Sequence, residues 1–166
     1  RDMLLVTVVG SCVAACIRDT ESGIGGMNHF MLPDEGGKDL VGNSARYGTY
    51  AMEMLINHLL KSGARRNRLE AKVFGGGAVL ASLSSSNVGA RNAEFVLKFL
   101  QTEKIPVVAK DLLDSYPRKV YYFPSSGRVL VRKLHRVHND TLFNREKEYK
   151  ARIEHSKVEG DIELFT

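Results

Sequence analysis

Residues 3–18 read MLLVTVVGSCVAACIR, two apolar runs of β-forming residues joined by Gly10, Ser11 and Cys12. Both runs are nearly all apolar, which predicts two strands, at 3–9 and 13–18, that are buried on both faces. Gly10 allows the backbone to leave the first strand sharply. The sequence therefore predicts that Cys12 lies at a turn between two buried strands.

Turn signals and helical spacing continue this pattern along the chain. The polar residues 19–23 predict a hairpin that leads into a strand at 24–32. A helix is expected from Asn43 or Ser44 to about residue 62, and Gly63 is expected to end it. The apolar stripe of this helix should comprise Tyr47, Ala51, Met54, Leu55, His58 and Leu59.

The remaining elements define the fold class. Strands are predicted at 69–74, 105–110, 119–123 and 128–134, and a second helix is predicted to begin near Gly89. Together the elements predict an α/β layered sandwich, with a central mixed β-sheet and two main helices. Residues 1–134 should form this domain, and residues 135–166 a charged C-terminal extension with a helix from Asn139 to about His155.

Composition favours one soluble domain. The chain has 166 residues, of which 43% are hydrophobic and 26% charged. No apolar run approaches the roughly 20 residues of a membrane helix. Two cysteines four residues apart in an extended segment are about 13 Å apart, too far to bridge, so they make no disulfide framework. We therefore expect a cytoplasmic protein without a secretory signal or a metal site. Because the chain does not begin with Met, we also expect an N-terminal element to be missing.

The net charge of +5 is unevenly distributed. Eleven Lys and Arg but only four Asp and Glu lie between Pro117 and Lys157. Such a skew can attract nucleic acid or an acidic partner. No aromatic and basic recognition motif accompanies these charges, so we interpret them as a solvated face and tail and expect no nucleic-acid partner.

A histidine follows Cys12 on the next predicted strand. His29 lies seventeen residues later, within MNHFMLP at 27–33. A thiol at a strand–turn junction with an imidazole on a following strand suits Cys–His nucleophilic catalysis, in which the thiolate attacks. Ser11 and Cys12 would offer consecutive backbone N–H groups to an oxyanion. Thr7, the one hydroxyl on the first strand, is the candidate to orient the imidazole.

Cysteines in apolar strands are most often core residues. This interpretation applies to Cys16, whose neighbours are Ala15 and Ile17. For Cys12, the residue types alone leave both a catalytic and a core role open, since one cysteine and one histidine form a weak signal.

The sequence around Cys12 carries a family resemblance. The stretches TVVGSCVAAC at 7–16 and MNHFMLP at 27–33 closely resemble the chemoreceptor glutamine deamidase family, CheD. Three further stretches are similar to the family: KVFGGGA at 72–78, NVGARN at 87–92 and GRVLVRK at 127–133. The resemblance spans residues 3 to 133 in order, and it favours the catalytic interpretation of Cys12.

This resemblance implies a Cys–His–Thr triad with Cys12 as nucleophile, His29 as base and Thr7 as orienting residue. It implies that receptor glutamines are converted to glutamates with release of ammonia, and that some receptor glutamate methyl esters are hydrolysed. No cofactor is required for this chemistry. The implied partners are the cytoplasmic helices of chemoreceptors and a chemotaxis phosphatase similar to CheC. We therefore expect the protein to be associated with a membrane only through its receptors.

A glutamine presented by a receptor helix requires an open groove beside the cysteine. Small residues permit close approach of a substrate backbone. We expect this groove to be lined by Gly75, Gly76, Gly77 and Asn28.

The chain departs from the family pattern at DLLDSYPR, residues 111–118. The family commonly has an Asp-Thr-Gly-Gly loop before a Gly-Arg pair, and here only Asp111 and Arg118 match. Two other functions stay open. One is a different cysteine hydrolase, a thioesterase or peptidase; the other is an interaction module that binds a chemotaxis phosphatase or receptor with little or no catalysis.

Overall fold

The computed structural model describes residues 3–33, 41–79, 87–134 and 162–165. Within them the strands are β1 (Leu5–Val9), β2 (Val13–Asp19), β3 (Gly25–Phe30), β4 (Leu69–Gly75), β5 (Val107–Leu112), β6 (Arg118–Phe123), β7 (Arg128–Lys133) and β8 (Ile162–Phe165). The helices of this part are α1 (Val41–Lys61) and α2 (Val88–Thr102). The predicted elements are found with their ends shifted by a few residues. β8 was not predicted, and the helix predicted at 139–155 lies outside the described residues.

The described strands form two four-stranded sheets. The outer sheet has the order β1-β6-β7-β8, and its neighbours are antiparallel throughout. The central sheet has the order β3-β2-β4-β5. It is mixed, because β2 is antiparallel to both of its neighbours whereas β4 and β5, which α2 connects, are parallel. One face of the central sheet packs against both helices and the other against the outer sheet. This confirms the predicted α/β layered class. The prediction had one central sheet, however, and the strands are divided between two.

Both faces of β2 are buried, as its nearly all-apolar sequence predicts. Val13, Ala15 and Ile17 pack in the core beneath the helices, whereas Ala14 and Cys16 lie in the core between the sheets. One strand serves two cores because successive side chains point to opposite faces. Cys16 is only 1% exposed, and its burial raises the pKa of the thiol. It has the core role that the sequence predicts.

The buried face of α1 differs from the predicted stripe. Its centre consists of Met52, Ile56 and Leu59, which are 0–2% exposed and pack beneath the helices. Met54 and His58 are exposed, so their predicted packing is wrong. The stripe is rotated because Met52 and Ile56, and not Met54, face Phe30 and Val13 in the helix-side core.

Gly63 ends α1 as the sequence predicts. Its φ is +112°, a left-handed conformation that glycine adopts without a steric cost. The Gly63 N–H donates to the carbonyl of Leu60 at 3.1 Å, and the Ala64 N–H donates to that of Leu59 at 3.0 Å. This pair of bonds is a Schellman motif, which satisfies the last carbonyls of a helix.

A buried lysine holds β8 against the sheets. Nζ of Lys72 donates to the carbonyl of Gly127 at 2.6 Å and to that of Phe165 at 3.0 Å. Phe165 also packs edge to face against Phe74, with ring centroids 5.2 Å apart. Burial lowers the pKa of Lys72, and the two carbonyls supply acceptors for the ammonium group inside the protein.

The loop that departs from the family pattern is organised by Arg118, which is 0% exposed. Its guanidinium pairs with Asp111 at 3.0 Å and donates to the carbonyls of Leu113 at 2.9 Å and Tyr116 at 3.3 Å. Asp111 and Arg118, the two residues that match the family here, therefore form the ion pair that holds the altered loop in place.

Two residues of this loop adopt left-handed backbone conformations. Leu113 and Asp114 have φ values of +70° and +66°, which cost a residue with a side chain roughly 1–2 kcal/mol. The Leu113 N–H donates to the carbonyl of Gly75 at 2.8 Å, and the Asp114 carbonyl accepts from the Ala78 N–H at 2.7 Å. The conformation thus attaches the loop to the segment that follows β4.

We predict that Leu113→Gly is more stable than Leu113→Ala by about 1 kcal/mol, because only glycine is free of strain at this φ. The two variants lose nearly the same side-chain contacts, so their difference isolates the backbone. Urea unfolding followed by circular dichroism measures it. At an ordinary backbone position alanine would be the more stable of the two, and that order would contradict the left-handed conformation of residue 113.

Candidate active site

Residues Gly10, Ser11 and Cys12 carry the chain from the outer sheet to the central sheet. β1 ends at Val9 and β2 begins at Val13, so the passage takes three residues, and all three are buried. Buried backbone groups need hydrogen-bond partners, because an unpaired carbonyl inside a protein is costly. The partners of these three carbonyls therefore determine how the turn is built.

Each carbonyl of the turn accepts a hydrogen bond. The Gly10 carbonyl accepts from the Gly77 N–H at 2.9 Å, and the Cys12 carbonyl accepts from the Gly76 N–H at 2.8 Å. Between them, the Ser11 carbonyl accepts from the side-chain amide of Asn92 at 2.8 Å. The turn is thus held by the segment after β4 on two sides and by α2 on the third.

The glycines that follow β4 fit closely behind the turn. A Cβ on Gly75 would lie 2.2 Å from the Cys12 carbonyl oxygen, and one on Gly76 would lie 2.8 Å from the carbonyl oxygen of Gly89 in α2. Gly75 and Gly76 also have φ values of +114° and +65°, so side chains are excluded there by both space and conformation. These glycines support the turn, and their predicted place in a substrate groove stays a prediction.

Two of the three predicted catalytic residues are in direct contact. His29 on β3 lies opposite Ala14 of β2, so it faces the outer sheet. There the Oγ1 atom of Thr7, a β1 residue that is 5% exposed, lies 3.2 Å from the His29 Nδ1 atom. This hydrogen bond joins the outer sheet to the central sheet, and it fixes the orientation of the imidazole.

Cys12 lies on the same side of the central sheet as His29. It belongs to the core between the sheets, together with Ala14 and Cys16. Ala14, which lies in this same core, is the direct cross-strand partner of His29, and Cys12 precedes Ala14 by two residues. Cys12 is 4% exposed. Thr7 and His29 are therefore in contact, and Cys12 lies in the core between the same two sheets.

Asn28 lies on the other face of β3. Its side-chain amide donates to the carbonyl of Ala51 in α1 at 3.2 Å, on the side opposite to His29. This orientation follows from the alternation of side chains along a strand. The structure therefore does not bring Asn28 together with Cys12, and we leave it out of the site proposed below.

The sequence interpretation missed Asn92. This residue is 0% exposed; besides its bond to Ser11, its Oδ1 atom accepts from the Leu32 N–H at 2.8 Å. Asn92 precedes Val96 by four residues and so shares the apolar face of α2. A polar amide at a position where the helical spacing calls for an apolar residue was the available signal.

The described residues limit other kinds of site. Among them, no group of three or more His, Cys, Asp and Glu side chains is placed to hold a metal ion. None of the helices in this part of the chain has the length and apolar character that crossing a membrane would need.

Comparison with known proteins places this chain in a family. The family model described as CheD chemotactic sensory transduction matches residues 31–133. A protein of Dechloromonas aromatica named "Probable chemoreceptor glutamine deamidase CheD 1" is 82% identical over 165 residues, which cover 99% of this chain and 82% of the relative.

Relatives from other bacteria agree. A Janthinobacterium protein named "Probable chemoreceptor glutamine deamidase CheD" is 63% identical over 168 residues, covering 100% of this chain and 83% of the relative. A Shewanella oneidensis protein named "Probable chemoreceptor glutamine deamidase CheD 1" is 59% identical over 167 residues, covering 99% and 81%. The family match begins after His29, but these alignments extend over nearly all of the chain. This chain belongs to the CheD family.

Proposed function

We propose that this protein is a protein-glutamine deamidase that acts on chemoreceptors by covalent catalysis with Cys12, His29 and Thr7. The observation that carries the proposal is the 3.2 Å hydrogen bond between Thr7 Oγ1 and His29 Nδ1. It orients the imidazole on the face of the central sheet that also bears Cys12. The names of the relatives supply the substrate class, a chemoreceptor glutamine.

The first half of the reaction forms a thioester. Thr7 Oγ1 accepts a hydrogen bond from Nδ1–H of His29, which leaves the lone pair on Nε2. Nε2 takes the proton of the Cys12 thiol, and the thiolate attacks the carboxamide carbon of glutamine. The carbonyl oxygen becomes an oxyanion, which the backbone N–H groups of Ser11 and Cys12 stabilise. His29 then protonates the nitrogen, the C–N bond breaks and ammonia leaves.

The second half restores the enzyme. His29 deprotonates a water molecule, which adds to the thioester carbon; the C–S bond then breaks to give glutamate and the Cys12 thiol. A glutamate methyl ester would follow the same steps with methanol as the leaving group, so we include receptor methylesterase activity in the proposal.

Threonine orients the ring without the negative charge that an aspartate would place beside the imidazolium.

The proposed partners follow from the substrate. A receptor helix presents the glutamine, so the protein works in the cytoplasm at the receptor's signalling helices, through an open groove beside Cys12. From the family resemblance we also propose binding to a phosphatase similar to CheC.

Cys12→Ala should lower the rate of receptor deamidation by at least about 10³-fold, because it removes the nucleophile. Cys16→Ala is the matched control: it truncates the second thiol in the same core, costs about 1 kcal/mol of stability and should keep most of the rate. Ammonia release from a receptor cytoplasmic fragment measures both variants. Deamidation that survives in Cys12→Ala would refute the proposal.

Thr7→Val should lower kcat about 10-fold with little change in KM, because the side chain keeps its shape but loses the oxygen that orients His29. Thr7→Ser, which keeps a hydroxyl, should retain most of the wild-type rate. Steady-state kinetics on the same receptor fragment separate the two variants. A wild-type kcat in Thr7→Val would remove Thr7 from the triad.

The reaction product distinguishes the proposal from its alternatives. Site-resolved mass spectrometry of a treated receptor fragment should show glutamines heavier by about 1 Da, as expected when an amide nitrogen is replaced by oxygen. Cleavage of the chain would indicate a peptidase. Binding of the fragment without any mass change would favour the interaction module.

A further inference from the structure

We propose that Asn92 is a positioning residue for the oxyanion step: its side-chain amide fixes the Ser11–Cys12 peptide so that the Cys12 N–H faces the reacting carbonyl oxygen. The inference rests on the proposed function, because it assigns Asn92 a role within that reaction. Asn92 itself touches neither the substrate nor the reacting atoms, and acts through the backbone of the turn.

Both ends of the Asn92 amide are used. Nδ2 donates to the Ser11 carbonyl at 2.8 Å, and Oδ1 accepts from the Leu32 N–H at 2.8 Å. The residue is 0% exposed, and it shares the buried face of α2 with Val96 and Leu100. An unbonded amide would be costly at such a place, so its stability there depends on these two bonds.

Peptide geometry connects the bond at Ser11 to the N–H of Cys12. The Ser11 carbonyl and the Cys12 N–H belong to one planar trans peptide, so they point in opposite directions. Asn92 holds the carbonyl toward α2, and α2 packs on the helix side of the central sheet. The Cys12 N–H is therefore directed toward the opposite side of the sheet, where Thr7 and His29 lie.

The neighbouring peptides of the turn are held in a different way. The Gly10 and Cys12 carbonyls accept from the backbone N–H groups of Gly77 and Gly76, and only a substitution to proline would remove those donors. The Ser11 carbonyl accepts from a side chain. A substitution at position 92 can therefore release the middle peptide while the glycine segment keeps the rest of the turn in place.

The second hydrogen bond of Asn92, to the Leu32 N–H, connects the segment of the nucleophile with that of the base. Leu32, whose N–H donates to Asn92, follows His29 by three residues, so one amide joins the chain segments that carry Cys12 and His29. The approach of α2 depends on Gly89, where a Cβ would lie 2.5 Å from the Gly77 carbonyl oxygen. The helix thus comes close enough for a short side chain to reach the turn.

The test compares two reactions of the same thiol. Deamidation passes through an oxyanion, whereas alkylation by iodoacetamide displaces iodide at a carbon and needs only the thiolate. Asn92→Ala removes both bonds of the amide. Asn92→Asp keeps an acceptor for the Leu32 N–H and removes the donor to Ser11. Val96→Ala, one turn later on the same buried face, is the control for a loss of packing alone.

Both Asn92 variants should lower kcat for receptor deamidation by about 10- to 100-fold, with KM and the rate of Cys12 alkylation within about twofold of wild type. Val96→Ala should change neither rate, although it lowers stability. His29→Ala should lower both rates, because it impairs formation of the thiolate.

Two results would overturn the inference: an unchanged kcat in folded Asn92 variants, or a parallel fall of deamidation and alkylation, which would indicate collapse of the turn. If Asn92→Ala does not fold, Asn92→Asp decides, since it keeps the bond to Leu32. A wild-type protein that is alkylated at Cys12 but deamidates no receptor fragment would overturn the proposed function and this inference together. An active wild type with unaffected Asn92 variants would overturn this inference alone.

Discussion

The chain crosses between two packed sheets in three buried residues, and it can do so only because every carbonyl of the crossing finds a donor. Two of these donors are N–H groups of Gly76 and Gly77, and the third is the amide of Asn92. A protein interior penalises an unpaired carbonyl by more than most single contacts contribute. The crossing therefore imposes requirements on the end of β4, on the glycines that follow it and on α2, all of which lie far from it in sequence.

These requirements account for features that look unrelated along the chain. β4 must end in a residue without a side chain, because a Cβ on Gly75 would lie only 2.2 Å from the Cys12 carbonyl oxygen. α2 must carry a glycine at position 89, in its first turn, so that Asn92 can reach the Gly10–Cys12 turn. The loop at 113–114 adopts a strained conformation in which it bonds to Gly75 and Ala78. The buried connection thus depends directly on two separated segments, the glycines after β4 and α2, and the 113–114 loop is attached to the first of them.

The features predicted correctly from the sequence are those that a local pattern of residues determines. The apolar run of β2 predicts a strand buried on both faces, and Gly63 predicts the end of α1, because periodicity and glycine chemistry act over a few residues. The pairing of Thr7 with His29 was predicted from residue types and family resemblance, and the two side chains are in contact. Cys12 as the nucleophile remains a proposal, although its turn was predicted correctly.

Features that depend on distant parts of the chain were not predicted. Nothing in the local pattern divides the strands between two sheets, or brings Phe165 of β8 to Lys72 and Phe74. The stripe of α1 was misplaced because Met54 and Met52 are equally apolar, and only the neighbouring core decides which is buried. Asn28 was predicted to line the groove, yet alternation along β3 turns it toward α1. Asn92 was passed over because its two partners precede it by 81 and 60 residues.

The hydrogen bond between Thr7 and His29 also depends on the distance between the two sheets. Its two side chains belong to different sheets, and a hydrogen bond is lost when its atoms separate by a few tenths of an ångström beyond about 3.5 Å. Strand ladders, in contrast, lie within each sheet and survive a slight parting of the two layers. Partial loosening by mild denaturant would therefore disturb the imidazole while the circular dichroism of the strands and helices still looked native. The contact between Thr7 and His29 would therefore respond to a separation of the two layers before the strand ladders do.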